Sequence, residues 1–293
     1  MKTRTKGIAL ATSGCVLWGA SGIAGQYLLI DRNIASEWLT FCRLFSAGIL
    51  LLIITLCKGD NIWQIWKQKK DRMLILIFGV LGMLFTQYGY FTSIKYSNAP
   101  TATVIEYLVP ILIIGWTCIS ERRWPKVVEI ICTALAFFGT VLVATKGDFT
   151  TLAVSPKALF WGLVAALACA LYTIEPVDII KKYGASIVVG WGMLVASLAM
   201  APWMGYFPFT GTIDGAVLGA FGFVVLFGTI CSFVLYLGST KYITPAEVSI
   251  IAALEPLASI LFAFILFGTV FSLMEWIGIV LIIGAVGVVA QKQ

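Results

Sequence analysis

Apolar residues run through this chain in blocks of about the twenty needed to cross the hydrocarbon core of a bilayer, separated by short polar turns. The pattern predicts ten such spans, over residues 7–30, 37–57, 73–94, 98–120, 127–145, 157–177, 186–206, 214–238, 245–267 and 272–291. Most links are too short to let consecutive spans separate, so neighbours in sequence are expected to be neighbours in space. The longest, Lys58 to Arg72, sets Ile62, Trp63, Ile65 and Trp66 beside Lys67, Lys69 and Lys70, the pattern of a short helix lying in the headgroup region.

The blocks repeat. Sliding the chain by 146 residues puts Ser93, Lys95 and Tyr96 on Ser239, Lys241 and Tyr242, Pro110 on Pro256, Glu129 on Glu275 and Lys146 on Lys292. Gly82 falls on Gly228 and Tyr90 on Tyr236. In so apolar a chain the polar and proline matches carry the weight. They divide it into two related halves, residues 1–147 and 148–293, each of five spans. An odd number of crossings makes the second half enter from the opposite side. The expected fold is therefore all-α, ten transmembrane helices arranged as two inverted five-helix repeats, which suits alternating access around a site between the halves.

Composition agrees: 60% of residues are apolar or aromatic, 12% are charged, and mean hydropathy is +0.98. The first run, residues 7–30, holds Trp18 and Gln26 and reads as a first span, not a cleaved leader. Of the 20 Lys and Arg, only Arg32, Lys95, Lys146 and Lys157 fall on one side of the predicted topology and Arg43 falls inside a span. All the others lie on the N-terminal side, so the positive-inside rule places both termini in the cytoplasm of a multi-pass plasma-membrane protein. The net charge of +6 is mostly this bias and does not point to nucleic acid.

The seven cysteines lie in or at the ends of apolar segments, without a C-x-x-C pair, and read as packing residues. There is no histidine, which removes the commonest metal ligand and catalytic base. No metal, no cofactor and no catalytic residue is expected, and no phosphate-binding loop supplies an ATP motor.

Three stretches carry a family resemblance: "LWGASG" at 17–22, "NAPTATVIEYLVPILI" at 98–113 with Ser120-Glu121 after it, and "TPAEVSIIAALEPLASILFAF" at 244–264. With Arg43 in "FCRLFSAG", they resemble the EamA domain of the drug/metabolite transporter superfamily over nearly the whole chain. The resemblance implies ten helices, two EamA repeats, carriage of small metabolites such as amino acids, amines or drugs, and a cavity lined mainly by spans 1, 3, 4, 6, 8 and 9. Two positions depart from the family pattern. Phe267-Gly268 replaces the closing glutamate of the second copy, and Glu106 stands where a neutral residue such as Gln is more usual.

Ionisable groups at bilayer depth face a cavity or a partner. Four qualify: Arg43, Glu106, Glu175 and Glu255. Glu129, Glu247 and Glu275 lie near span ends and read as structural or interfacial. Pro176 is expected to kink the helix after Tyr172 and Glu175, which share a face and offer an aromatic ring beside a carboxylate. This pair resembles the "WG-x-E" of choline-carrying relatives, against a plain reading in which Glu175 reaches the interface. Pro110 frees the Glu106 carbonyl, so Glu106 reads either as a cation or proton site or as the ion-pair partner of Arg43. Glu255, before Pro256, reads first as structural and second as substrate-binding, and Arg43 reads as a structural ion pair or a carboxylate contact. Trp18 opens a face with Gly19, Gly22 and Gly25, which would admit a neighbouring helix. Gln87, Tyr90 and Trp191 are further candidate substrate contacts beside ordinary packing. Prolines 110, 176 and 256 are the expected bends.

The function expected is secondary transport of a small cationic or zwitterionic metabolite, an amine or amino acid, by alternating access, with proton-coupled antiport and export as its expected form. The alternatives are a facilitative uniporter of neutral or aromatic metabolites and, less well supported, a lipid flippase. The partners expected are the small-molecule substrate, membrane lipid and protons; monomer and homodimer fit equally.

Overall fold

In the computed structural model, residues 2–96, 102, 105–151, 155–206, 211–255, 257–258, 261–262 and 272–291 are described. Helix α1 (Lys2–Gln26) leads into α2 (Ser36–Cys57). Then α3 (Lys69–Ile77) and α4 (Phe85–Tyr96) form one rod through widened turns at Phe78–Leu84. The first half closes with α5 (Val109–Ser120) and α6 (Val127–Thr145). The second begins with α7 (Pro156–Ile174), the short α8 (Val177–Tyr183) and α9 (Ala185–Met200). Next, α10 (Gly215–Val225) and α11 (Ser232–Ser239) are joined by widened turns at Leu226–Cys231, and α12 (Pro245–Ile251) and α13 (Leu273–Gln291) complete it.

Among the described residues six segments are long and apolar enough to cross a membrane: Thr3–Leu29, Ser36–Cys57, Lys69–Ser93, Pro156–Ile174, Ala185–Tyr206 and Gly215–Ser239. Val109–Ser120, Val127–Leu142 and Leu273–Ala285 are shorter apolar helices. The chain is a multi-pass membrane protein. The ten-span expectation is met in part: the predicted span 245–267 is described as helix only over Pro245–Ile251 and in short pieces beyond, and residues 263–271 lie outside the described residues, as do Pro256 and Lys292.

The halves match in structure as in sequence. Helices α6 and α13 begin and end 146 residues apart. Widened turns fall at nearly equivalent places, one run holding Gly82 and the other Gly228. The shared glutamate has the same task in each half. Glu129 Oε2 accepts the Lys126 N–H at 2.8 Å, and Glu275 Oε2 accepts the Ser272 N–H at 2.7 Å, tying off otherwise unpaired amides at the helix start. Glu247 does this for Thr244 at 2.9 Å and also meets Arg4 at 2.9 Å. These three carboxylates are caps.

Packing exchanges elements between the halves. Helix α1 lies against α11 while its counterpart α7 lies against α4; α2 packs on α9, α6 on α13 and α5 on α12. The α1–α11 contact runs through Gly14, where a methyl group would come within 2.9 Å of the Ser232 carbonyl oxygen, while Gly7 abuts Tyr242 and Ile243 in the turn beyond α11. Of the glycines expected to open this face, Gly22 is exposed and Gly25 has open space beside it. At α2–α9 a methyl group on Gly48 would sit 2.9 Å from the Leu194 nitrogen and 3.1 Å from the Gly190 carbonyl oxygen. Backbone cannot yield as a side chain can, so the two helices must part. Gly48→Ala is expected to cost about 1–3 kcal/mol, and Gly25→Ala to be neutral or slightly stabilising. Thermal unfolding in detergent measures both, and equal melting points would refute the contact.

Opposite ends of α2, about 33 Å apart at 1.5 Å per residue, carry matching ties between the halves. Beyond its N-terminus Arg32 meets Asp214, the N-cap of α10, at 2.9 Å. The Val217 amide and then Arg32 hold the Asp214 carboxyl below the usual carboxylate range. Past its C-terminus Lys182 meets Asp71 at 2.7 Å and Gln68, the N-cap of α3, at 2.8 Å. Gln68 and Asp214 are 146 residues apart, so the same joint is built twice. The 58–72 link does not form the surface helix its pattern suggests. It makes a single tight turn at Gln64–Trp66 and folds back, burying Ile62 and Ile65.

Candidate functional site

The two proline-bearing stretches that resemble each other in sequence are both interrupted. In the first half the helix breaks at Tyr107 and Leu108, and α5 starts at Val109-Pro110. Pro110 has no N–H to offer the Glu106 carbonyl, so a continuous helix would lose a bond there. In the second half α12 ends at Ile251 and a turn at Ala252 and Ala253 precedes Glu255. Each interruption thus has a glutamate beside it, and α5 packs on α12. Irregular backbone inside a membrane protein is tolerated where it is covered by protein or lines a cavity.

Glu106 and Glu255 lie within electrostatic reach of each other. Arg43 on α2, 7% exposed, is in reach of Glu255 and stacks over the Phe91 ring at 5.4 Å. It forms no direct ion pair among the described residues, and its Nε is buried without a partner. One of the two sequence readings paired Arg43 with Glu106; in the fold the carboxylate in reach of Arg43 is Glu255, and among the described residues no cation faces Glu106.

Aromatic and small polar groups surround the carboxylates. The Trp18 ring lies 4.9 Å from Phe233 and 4.8 Å from Tyr236. Tyr172 joins them, 6.0 Å from Phe233 and 6.5 Å from Tyr236. Cys15 is in reach of Glu255, and Cys169 of Glu106. Of these groups Tyr107, Phe233, Tyr236, Cys15 and Cys169 were not legible as site residues. Tyr236 had a signal: it is the repeat partner of Tyr90.

Four candidates lie elsewhere. Trp191 donates from Nε1 to the Ile62 carbonyl at 2.8 Å and packs between Trp63 and Trp66, each 5.0 Å away, under the 58–68 link. Tyr90 packs beside Phe91 in a second small core with Leu28 and Leu39. Gln87 is buried on α4. Glu175 follows the end of α7; both its carboxylate oxygens are buried, and among the described residues they have no hydrogen-bond partner and no other ionisable group in reach. Pro176 ends the helix instead of bending it: α7 stops at Ile174 and α8 starts at Val177. Tyr172, one turn earlier on the same helix, joins the aromatic group.

The profile of the EamA-like transporter family matches the chain twice, over residues 5–145 and 156–291. The chain belongs to the EamA-like transporter family. As such it is 36% identical over 289 residues to an uncharacterized inner membrane transporter, YicL, of Salmonella typhimurium, covering 98% of this chain and 95% of that one. It is 24% identical over 280 residues to an uncharacterized transporter of Archaeoglobus fulgidus, covering 93% and 96%. A solved crystal structure shares the fold at a TM-score of 0.82 and 15% identity, over 97% of this chain and 96% of that chain. In this EamA-like transporter the two family matches coincide with the two halves that exchange helices.

Proposed function

We propose that this membrane transporter moves a small cationic or zwitterionic metabolite, an amine or amino acid, by alternating access between two inverted repeats, in exchange for protons. The observation that carries the reading is the charge pattern at the paired helix breaks: two carboxylates against one guanidinium among the described residues, with Arg43 in electrostatic reach of Glu255 and not of Glu106. A buried carboxylate without a cation is costly and is relieved by a proton or by a positively charged ligand. The two compete for one group, which is the condition for exchange. The rings of Trp18, Tyr172, Phe233 and Tyr236 supply faces for the apolar body or the cationic head of such a ligand. Broken helices meeting between repeats are where secondary transporters hold substrate.

The test is reconstitution into liposomes with an internal pH indicator. Addition of a panel of small amines and amino acids should move protons against substrate in protein-dependent fashion, and an imposed pH gradient should drive accumulation. Substrate flux that ignores the gradient would leave a uniporter; no flux of any positively charged solute would remove the reading. The orientation proposed, both termini cytoplasmic, is checked by reporter fusions at each end. Signals from opposite faces would contradict it.

A further inference from the structure

Tyr107 occupies the turn that interrupts the helix between Glu106 and Val109. It is 8% exposed, and its hydroxyl has no hydrogen-bond partner among the described residues. The ionisable groups within its electrostatic reach are Cys15 on α1, Glu255 beyond α12, Tyr236 on α11 and Glu106 beside it. They come from four segments and from both halves. A buried tyrosine hydroxyl normally finds a partner, and one left unmade is destabilising. Phenylalanine would fill the same space without that penalty. The hydroxyl therefore has a use that packing does not supply, and its setting beside the unmatched carboxylate says which.

We infer that the Tyr107 hydroxyl hydrogen-bonds a polar group on the substrate, so that the site selects amines carrying a hydroxyl or carbonyl group over those with an ammonium group alone. This rests on the amine reading above and adds a second point of recognition to it. Glu106 takes the positive charge, and the neighbouring phenol reads a neutral polar group that a bare amine lacks. A site built to hydrogen-bond a substrate rejects the analogue without that group, because its own buried polar atom is then left unpaired.

The experiment compares purified wild type and Tyr107→Phe in detergent, with thermal unfolding alone and binding to two matched pairs, tyramine against phenethylamine and ethanolamine against ethylamine. Wild type is expected to bind the hydroxylated member of at least one pair about tenfold more tightly. Tyr107→Phe should bind both members alike and, without ligand, melt no lower than wild type. Discrimination that survives in Tyr107→Phe overturns the inference. So does a ligand-free variant that melts lower, since the hydroxyl would then be structural. Wild type that binds both members of each pair equally overturns it while leaving the amine reading in place; wild type that binds none of the four removes both.

Discussion

Glu106→Gln is expected to abolish exchange transport while leaving the fold as stable as before, or more so. Glutamine keeps the shape of the side chain and its capacity to accept a hydrogen bond, and removes only the charge and the titratable proton. If a monovalent amine sits against Glu106, losing a desolvated charge contact costs about 3 kcal/mol or more, roughly a hundredfold in affinity. Coupling is lost as well, because no group remains for proton and substrate to share. Stability should move the other way, since among the described residues Glu106 has no cation in reach and is in electrostatic reach of Glu255. Removing one of two neighbouring buried acids relieves repulsion and desolvation. Proteoliposome flux and detergent melting of the same preparation read the two effects. A variant that unfolds has lost a structural residue, and one that transports normally has an irrelevant glutamate; either result defeats the assignment.

Opposite signs in the two assays separate a ligand-binding carboxylate from the structural ones, and the capping residues give the comparison. Glu129 and Glu275 serve amides at helix starts, so Glu129→Gln and Glu275→Gln are expected to lower stability by about 0.5–2 kcal/mol each.

The spans were legible because hydropathy over twenty residues is a strong signal. The edges of α2, of α6 and of the rod from α10 through α11 (Gly215–Ser239) lie within one residue of the predicted ones. The repeat offset was legible because a few polar matches survive in an apolar background, and the paired glutamates explain one of them. What the sequence did not reveal is which residues meet across the halves. Arg43 and Glu106 look like partners in a linear reading, yet the pairing is fixed by how α2 packs on α9 and α5 on α12, which no local pattern encodes. Trp191 looks like a cavity residue until the 58–68 link folds over it. Tyr107 was hidden by its own neighbours: between a glutamate and a proline it reads as one more apolar position. Glycine spacing misled for a similar reason. Gly22 and Gly25 look like part of a packing stripe with Gly19, but it is Gly14 that meets the α11 backbone closely.

Arg43 and Glu255 are expected to behave as a stability pair and not as a substrate contact. Arg43 is held beneath the surface of α2 with the Phe91 ring on one side and Glu255 in electrostatic reach, without a direct bond between them. Arg43→Met leaves Glu255 buried beside Glu106 with no cation in the group, and Glu255→Gln leaves the guanidinium alone in an apolar setting. Removing one member of a buried pair costs about 3–5 kcal/mol, and the gap between these two groups puts each single change near the lower end. Replacing both removes both buried charges, and an apolar or neutral pair of similar volume is often as stable as the ion pair it replaces. The double variant should therefore melt close to wild type, well above either single variant. It should still bind a positively charged amine through Glu106, with affinity within about tenfold of wild type, because neither altered residue supplies the unmatched charge. Additive losses in the double variant would mean that Arg43 and Glu255 act separately. Loss of amine binding with stability restored would move the substrate charge from Glu106 to Glu255.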